Sequence, residues 1–245
     1  MLKDRWRHIR DTIERDIRDG VLQPGDRLPN EAELGAIFGA GRHSIRRAIS
    51  ELAKEGRLSV EQGRGTFVEA TPNVTYTIGA RTRLHSNLLP QGYDISGALL
   101  DTETIPATKQ VAEALRLATD TPVIKTTRLN YADGLPISFG SLYHEAQRFT
   151  EFSERRKVLG SVTATYKSYG IDDYLRGETV MHCRRAREDE AKLLKQHPDQ
   201  PVIVIRAIDT DMEGRPISFS KVIWSGTRVK FNVATGSVTG PYRDA

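Results

Sequence analysis

The sequence lacks several features that would place a chain in a membrane or a secreted compartment. One cysteine stands in 245 residues, so an internal disulfide is impossible and we expect a reducing compartment. No apolar run approaches the roughly 20 residues that a membrane span requires. The segment 1–16 is charged throughout, without the apolar core of a signal peptide. We therefore expect a cytoplasmic protein that makes no membrane contact.

Motifs for catalysis are missing as well. The six histidines show no metal-ligand spacing, and no phosphate-binding loop, nucleophile elbow or dinucleotide fingerprint occurs. Cys183 follows His182, but neighbours on a strand point to opposite faces. We expect a buried structural thiol there rather than a Cys–His pair. The predictions are no catalytic residue, no metal site, no cofactor and no enzymatic activity.

The charge is modest in total but uneven along the chain. The formal net charge is +4, with 28% charged and 38% apolar residues, as in a folded globular protein long enough for two domains. Residues 42–64, however, carry six basic side chains against three acidic ones. A local basic surface, rather than the total charge, is what a DNA backbone attracts.

Residues 1–69 carry the pattern of a winged helix-turn-helix domain. Apolar residues at helical spacing predict a first helix that ends at Gly20, and Asn30 with Glu33 forms a capping box for a second. A glycine-containing turn leads into a third helix that starts near Arg42. Residues 58–61 and 66–68 then alternate as a β-hairpin wing. This order predicts a third helix whose first turn enters the major groove.

The predicted DNA contacts share exposed polar or basic side chains, or glycine at the wing tip. Arginine can donate two hydrogen bonds to guanine O6 and N7, and serine or histidine can donate to bases or phosphates. The alternative is a solvated charged face, as most charge runs are. The ordered pattern favours DNA. The predicted contacts are Arg42, His43, Ser44, Arg46, Arg47, Gln62, Gly63 and Arg64.

This region resembles the GntR family of bacterial regulators from Trp6 to Val68. The residues that carry the resemblance are 22–68, LQPGDRLPNEAELGAIFGAGRHSIRRAISELAKEGRLSVEQGRGTFV. The resemblance implies that Arg42, His43, Ser44 and Arg46 lie at base- and phosphate-contacting positions. It also implies that Gln62 and Gly63 lie at the wing-tip contacts. Two positions depart from the family pattern. Ala32 stands where an arginine is frequent, and Gly41 stands where a serine or threonine is frequent, which removes a hydroxyl from the helix start.

The rest of the chain contains an internal duplication. Residues 70–78 are Thr-rich and are predicted to be a linker. Beyond it, the pattern of 112–139 (helix, strand, Asp-Gly turn, strand) returns 79 to 80 residues later with a Glu-Gly turn. Two copies predict one α+β domain over residues 79–245, with a mainly antiparallel sheet and pseudo-twofold organisation.

A ligand pocket is expected between the two halves. An arginine inside a strand, such as Arg128, needs a partner if it faces inward, and an anion at a helix N-terminus would supply one. The alternatives are ion pairs or solvated charges, and a sheet that serves only for dimerisation. The candidate pocket residues are Arg83, Ser86, Asn87, Arg128, Ser161, Thr163 and Arg176.

Over about residues 75–235 the sequence resembles the effector-binding (UTRA) domain of the HutC branch of that family. The matching segments are 82–92, 128–136 and 214–217. The resemblance implies a chorismate lyase-like fold and an anionic effector group held by residues 84–87 and Arg128, which adds His85. Asn130 is a further predicted contact, but many members have arginine there and glutamate at Ser218. These two departures make a sugar phosphate less favoured.

Within the branch, residues 42–49 and 86–92 look like those of phosphonate-utilisation regulators. The resulting hypothesis is a homodimeric repressor that binds a palindromic operator and responds to a phosphonate, phosphate or related small anion. The alternatives are a HutC-type regulator with a sugar-phosphate or amino-acid effector, an enzyme domain fused to a DNA tether, and an architectural DNA binder with an inert dimerisation domain.

Overall fold

A computed structural model describes residues 5–61, 63–69 and 74–234. Its contacts divide the chain into two compact units. The winged-helix unit comprises Met1–Pro72, Arg185–Val202 and Gly226–Arg228, and the sheet unit comprises Asn73–Arg184, Ile203–Ser225 and Val229–Ala245. The sequence pattern gave no sign that two short segments from far along the chain would join the first unit.

The winged-helix unit begins with helices α1 (Arg5–Arg18), α2 (Glu31–Phe38) and α3 (Arg42–Lys54). The predicted capping box is confirmed, because the Asn30 side chain accepts hydrogen bonds from the backbone of Ala32 and Glu33 while the Glu33 carboxylate accepts one from Asn30. Gly39 ends α2 in the left-handed region, at φ 56°. The apolar stripes of the three helices meet in one core, which includes Ile9, Ile13, Leu34, Ile45, Ala48, Ile49 and Leu52.

The predicted wing is present as strands β1 (Leu58–Glu61) and β2 (Gly65–Val68), which pair antiparallel. Gly63 and Gly65 have φ values of 76° and 124°, a backbone region that side chains other than glycine rarely adopt. Gln62 lies outside the described residues. Leu58 and Val68 point into the core of the unit, so the hairpin is fixed at its base while its tip is exposed.

The sheet unit contains β3 (Val74–Ile78), α4 (Leu84–Leu88), a 3₁₀ turn (Leu89–Gln91), β4 (Ile95–Pro106), α5 (Lys109–Leu115), β5 (Pro122–Ala132), β6 (Leu135–Glu145), α6 (Phe152–Leu159), α7 (Val162–Lys167) and most of β7 (Leu175–Arg185). Helix α8 (Glu188–Leu193) belongs to the winged-helix unit. It is followed by β8 (Pro201–Thr210), β9 (Pro216–Ser225) and β10 (Val229–Val233).

The large sheet confirms both the α+β class and the duplication. Its six strands run in the order β4-β5-β6-β9-β8-β7. The halves β4-β5-β6 and β7-β8-β9 therefore have opposite strand orders, as a pseudo-twofold axis requires, and they meet where β6 pairs antiparallel with β9. The first repeat forms α5, β5 and β6, and the second forms α8, β8 and β9. At the centre the strands approach closely: a Cβ added to Gly140 would lie 2.3 Å from the Lys221 carbonyl oxygen.

Two predictions about local structure are wrong. Residues 74–78, predicted as linker, form β3 and pair in parallel with β10; their alternation of buried Val74, Tyr76 and Ile78 with threonine is a strand pattern. Residues 70–73 lie outside the described residues. Cys183, predicted to be buried, is exposed, because it lies on β7 at the edge of the sheet, where Met181 and His182 are exposed too.

Candidate DNA-binding surface and effector cavity

The start of α3 presents a polar surface because its apolar residues are held in the core. Ile45, Ala48 and Ile49 are buried, which turns Arg42, His43, Arg46 and Arg47 to the exposed side, with Ser44 partly buried. Arg42 is the first residue of the helix, and the preceding Gly41 offers no side-chain cap. The structure therefore brings the predicted helix contacts onto one exposed face at the positive end of the helix dipole.

Two arginines among the predicted DNA contacts, one on α3 and one on the wing, are paired with carboxylates of the winged-helix unit. Arg46 contacts Glu31 at 2.8 Å with 67% of its side chain exposed, and Arg64 at the wing tip pairs with Glu61. Exposed ion pairs of this kind contribute only about 0–1 kcal/mol. A phosphate or a base edge can therefore replace either carboxylate at little cost.

Aromatic and glycine residues support the same surface in ways that the sequence did not reveal. The Arg47 guanidinium lies 4.2 Å from the centre of the Trp6 ring, a cation–π contact. The backbone of Arg27, whose side chain is exposed, forms an isolated antiparallel β-bridge with the backbone of Phe67 on the wing. A Cβ on Gly65 would lie 2.8 Å from the Arg27 Nε atom. Arg27 is thus a further basic side chain beside the wing, and glycine at 65 makes room for it.

In the sheet unit a cavity of about 550 Å³ draws its walls from both repeats. Strands β5 and β6 supply residues such as Arg128 and Gly140, while β8 and β9 supply Asp209 and Trp224. Of the residues that the structure describes, four arginines and one acidic residue line the cavity: Arg83, Arg128, Arg156 and Arg176, with Asp209. The cavity is of the size that proteins use for small ligands, and its basic excess favours an anion.

Arg128 and Arg156 line this cavity without a carboxylate partner among the described residues. Arg128 donates to the Gly97 carbonyl oxygen at 2.8 Å, and burial lowers its pKa. Burial, with a smaller contribution from the Arg128 charge, lowers the pKa of Arg156 to about 10. The buried Arg156 Nε has no hydrogen-bond partner within residues 5–61, 63–69 and 74–234. Two cations that repel each other in a partly desolvated wall are the arrangement that an oxyanion stabilises.

The other two arginines already have partners. Arg176 contacts Asp209 at 2.7 Å; burial raises the pKa of Asp209, and the Arg176 charge opposes that rise. Arg83 lies 3.2 Å from the centre of the Tyr174 ring and donates to the Tyr174 carbonyl oxygen at 2.5 Å. These contacts hold Arg83 and Arg176 in place, and they leave Arg128 and Arg156 as the cavity arginines without a carboxylate partner among the described residues.

The predicted effector residues fall mostly together. The cavity is lined by Arg83, His85, Ser86, Arg128, Asn130, Ser161, Thr163 and Arg176. Asn87 is not part of the lining: its amide accepts from the Thr77 backbone at 2.7 Å and donates to the Arg83 carbonyl oxygen at 3.0 Å, so it holds α4 against β3. Ser161 caps α7 through the Ala164 amide, and Asn130 donates to Ser138 at 3.0 Å.

Sequence reasoning missed Arg156 and Asp209. Arg156 is one of several charges in the run 154–157 on α6, which reads as a solvated helix face. Asp209 lies in β8, most of which is apolar. An acidic residue within such a strand was the available sequence signal, because acidic side chains are seldom buried without a partner. Among the described residues, no three His, Cys, Asp or Glu side chains are grouped to hold a metal ion, and no helix has the length and apolarity to cross a membrane.

A winged helix-turn-helix joined to a ligand-cavity domain defines a DNA-binding transcription regulator. Residues 6–68 match the model of the bacterial regulatory proteins of the gntR family, and residues 90–230 match that of the UTRA domain. The chain belongs to the GntR family and is of its HutC type, whose members are transcriptional regulators rather than enzymes.

Individual relatives extend over nearly the whole chain. An uncharacterised HTH-type transcriptional regulator of Rhizobium meliloti (strain 1021) is 36% identical over 230 residues, 94% of each chain. The "Probable transcriptional regulator PhnF" of Escherichia coli (strain K12) is 27% identical over 239 residues, again 94% of each. The crystal structure of PhnF from Mycobacterium smegmatis matches with a TM-score of 0.62 at 23% identity, over 94% of this chain and 100% of that one, which shows a shared fold.

Proposed function

We propose that this regulator is a homodimeric repressor whose operator binding responds to a doubly charged tetrahedral oxyanion, and that it controls phosphonate uptake and breakdown genes. The observation that carries the proposal is the pair Arg128 and Arg156, which line the cavity without a carboxylate partner among the described residues. A phosphonate or phosphate dianion would balance both charges and accept their hydrogen bonds.

The rest of the cavity supports a tetrahedral group rather than a flat one. Ser86 and Ser161 offer hydroxyls, and His85, which is exposed, lines the same cavity. A phosphonate has three oxygens, which can be divided among two guanidinium groups and these neighbours, whereas a carboxylate has two. The single acid, Asp209, is held by Arg176, so it does not compete for the anion-binding arginines.

The DNA-binding part of the proposal rests on α3 and the wing. We place Arg42, His43, Ser44 and Arg46 in the major groove of DNA. Arg47, Gly63 and Arg64 would contact the DNA phosphate backbone. Gln62, which lies outside the described residues, is a further proposed contact. One such domain covers one half-site, so two copies and a palindromic operator complete the site. The uncapped start of α3 at Gly41 leaves first-turn amides available to a phosphate oxygen.

The volume of the cavity supports a second candidate effector. About 550 Å³ is more space than a one-carbon phosphonate fills, so a phosphorylated sugar is the alternative occupant. It would use Arg128 and Arg156 for the phosphate and the remaining polar wall for hydroxyl groups. Asn130 and Ser218 stand in place of the arginine and glutamate that such ligands use in related regulators, which favours the phosphonate.

Isothermal titration of the full chain with a panel of anions tests the effector class. Methylphosphonate and inorganic phosphate should bind more tightly than methanesulfonate and acetate in slightly alkaline buffer, because only the first two take a second negative charge there. Arg156→Gln should lose this preference. Arg155→Gln is the matched control, since Arg155 is the adjacent residue on α6 and lies over the Tyr169 ring instead. Equal affinity for all four anions would contradict the proposal. Tighter binding of a hexose phosphate, titrated as a fifth anion, would support the second candidate.

A further inference from the structure

The winged-helix unit includes two segments, Arg185–Val202 and Gly226–Arg228, that are separated in sequence from its N-terminal part by residues of the sheet unit. Arg228, in the turn between β9 and β10, is only 2% exposed, although it is an arginine. Its guanidinium donates to the carbonyl oxygens of Leu194 at 2.5 Å and Lys195 at 2.9 Å, where α8 ends. It also contacts the Glu69 carboxylate at 2.6 Å. Glu69 directly follows the wing strand β2, so one buried side chain joins the base of the wing to the end of α8.

The end of α3 is held by the same two segments. Gln200 is 3% exposed and donates to the Ala53 carbonyl oxygen at 2.7 Å. Thr227 packs against Gly56: a Cβ on this glycine, at φ 73°, would lie 2.9 Å from the Thr227 Cβ. The Gly226 amide donates to the Pro201 carbonyl oxygen at 3.0 Å, which ties the two segments together. We call Gln200, Gly226, Thr227 and Arg228 the bracket.

The bracket restrains the end of α3 and the base of the wing, the two elements that carry the predicted DNA contacts. A buried guanidinium is stable only while its partners remain in place, because an unpaired charge in such a position is strongly unfavourable. The Arg228 contacts therefore exist in one arrangement of Glu69 and the α8 terminus, or they break together. This all-or-none behaviour is what a switching element needs.

Chain connectivity links the bracket to the cavity. Trp224 on β9 lines the cavity and stands four residues before Arg228. Immediately after Arg228 the chain forms β10, which pairs with β3 at Tyr76, another cavity residue. Arg228 thus stands between β9, which lines the cavity, and β10, which pairs with a strand that lines it. A ligand that moves β9 changes the geometry of the bracket.

We propose that the Arg228–Glu69 ion pair is the coupling element through which occupancy of the cavity alters the DNA-binding surface. The proposal rests on the proposed ligand-sensing function, but it makes a claim of its own. Coupling between two binding sites is reciprocal, so DNA bound at α3 and the wing must change the surroundings of Trp224. That effect is measurable without knowing the effector.

The experiment uses the full chain with a single fluorinated tryptophan. The chain has two tryptophans, at 6 and 224, so Trp6→Phe leaves position 224 as the only site for 5-fluorotryptophan. A duplex selected from a random-sequence pool by the wild-type chain is added to saturation, and the ¹⁹F resonance is recorded with and without it. We expect a shift of the resonance in this background, and no shift once Glu69→Gln is added, although the duplex still binds.

A matched control separates coupling from general destabilisation. Glu14→Gln removes another carboxylate of the same unit that pairs with an arginine, Arg57, at 2.9 Å, and it should leave the DNA-induced shift unchanged. A shift that persists in Glu69→Gln, or no shift even with Glu69 intact, overturns the proposal. Thermal unfolding verifies that each variant folds. If Glu69→Gln proves unstable, Arg228→Lys, which keeps the charge but not the guanidinium group, replaces it and should retain only part of the shift. Failure of the anion panel would count against the proposed effector alone.

Discussion

The arginines of α3 and the arginines of the cavity are the same side chain in two different environments. Arg46 is 67% exposed and paired with Glu31, so water and a carboxylate stabilise its charge. Arg156 is partly desolvated beside Arg128, and burial lowers its pKa to about 10. The first kind of arginine exchanges partners at little cost, whereas the second gains a partner that it lacked. A ligand should therefore depend more on each cavity arginine than DNA depends on each surface arginine.

The largest expected effect is the loss of both cavity cations. A hydrogen bond to a charged group contributes about 1.5–3 kcal/mol, so Arg128→Gln with Arg156→Gln should weaken methylphosphonate binding by more than about 100-fold. Operator binding without the anion should stay within about twofold, because neither residue belongs to the winged-helix unit. Titration calorimetry and a mobility-shift assay measure the two affinities. Retained anion affinity in the double variant would remove these residues from the site.

An intermediate effect is expected at the DNA surface. Arg46→Ala should weaken operator binding by about 10- to 100-fold at fixed salt, the range for one lost arginine contact to a base, and leave anion binding unchanged. Arg18→Ala is the matched control, since that arginine is also 67% exposed and pairs with a neighbouring carboxylate, but it ends α1. Equal losses in both variants would mean that only total charge matters and that α3 does not read the operator.

The two regions also differ in how far the sequence predicted them. The DNA surface follows from local rules: a capping box at Asn30, glycine at 39 and apolar residues in α3 fix which side chains are exposed. The cavity depends on contacts between distant strands. The duplication predicted the two halves, but it did not reveal Arg156, whose place in a charged helical run looked like a solvated charge. The bracket was beyond prediction, because Arg228 and Glu69 are 159 positions apart and no periodicity relates them.

A smaller effect concerns pH and separates the two kinds of arginine. An anion binds the protonated form of Arg156, so affinity is full below the pKa of the empty cavity and falls as pH rises through about 10. Sulfate is a suitable probe because its two charges do not change in this range. Its affinity should be nearly constant from about pH 8 to 9 and fall by no more than about fourfold by about pH 10.5, where about a quarter of Arg156 is still protonated. In Arg156→Gln the decrease should be smaller, and an unchanged decrease would assign it to another group.

The smallest effect tests whether the surface pair at α3 restrains DNA binding. Glu31→Gln removes the carboxylate that holds the Arg46 Nε at 2.8 Å and keeps the shape of the side chain. Because an exposed pair of this kind stabilises by only about 0.2–1 kcal/mol, operator affinity should rise by no more than about fivefold, and it should rise most at low salt, where the pair is strongest. A mobility-shift titration at two salt concentrations measures both. A decrease in affinity would show instead that Glu31 positions Arg46 for the DNA, so that the exposed ion pair, like the buried contacts of the cavity, serves to orient its arginine.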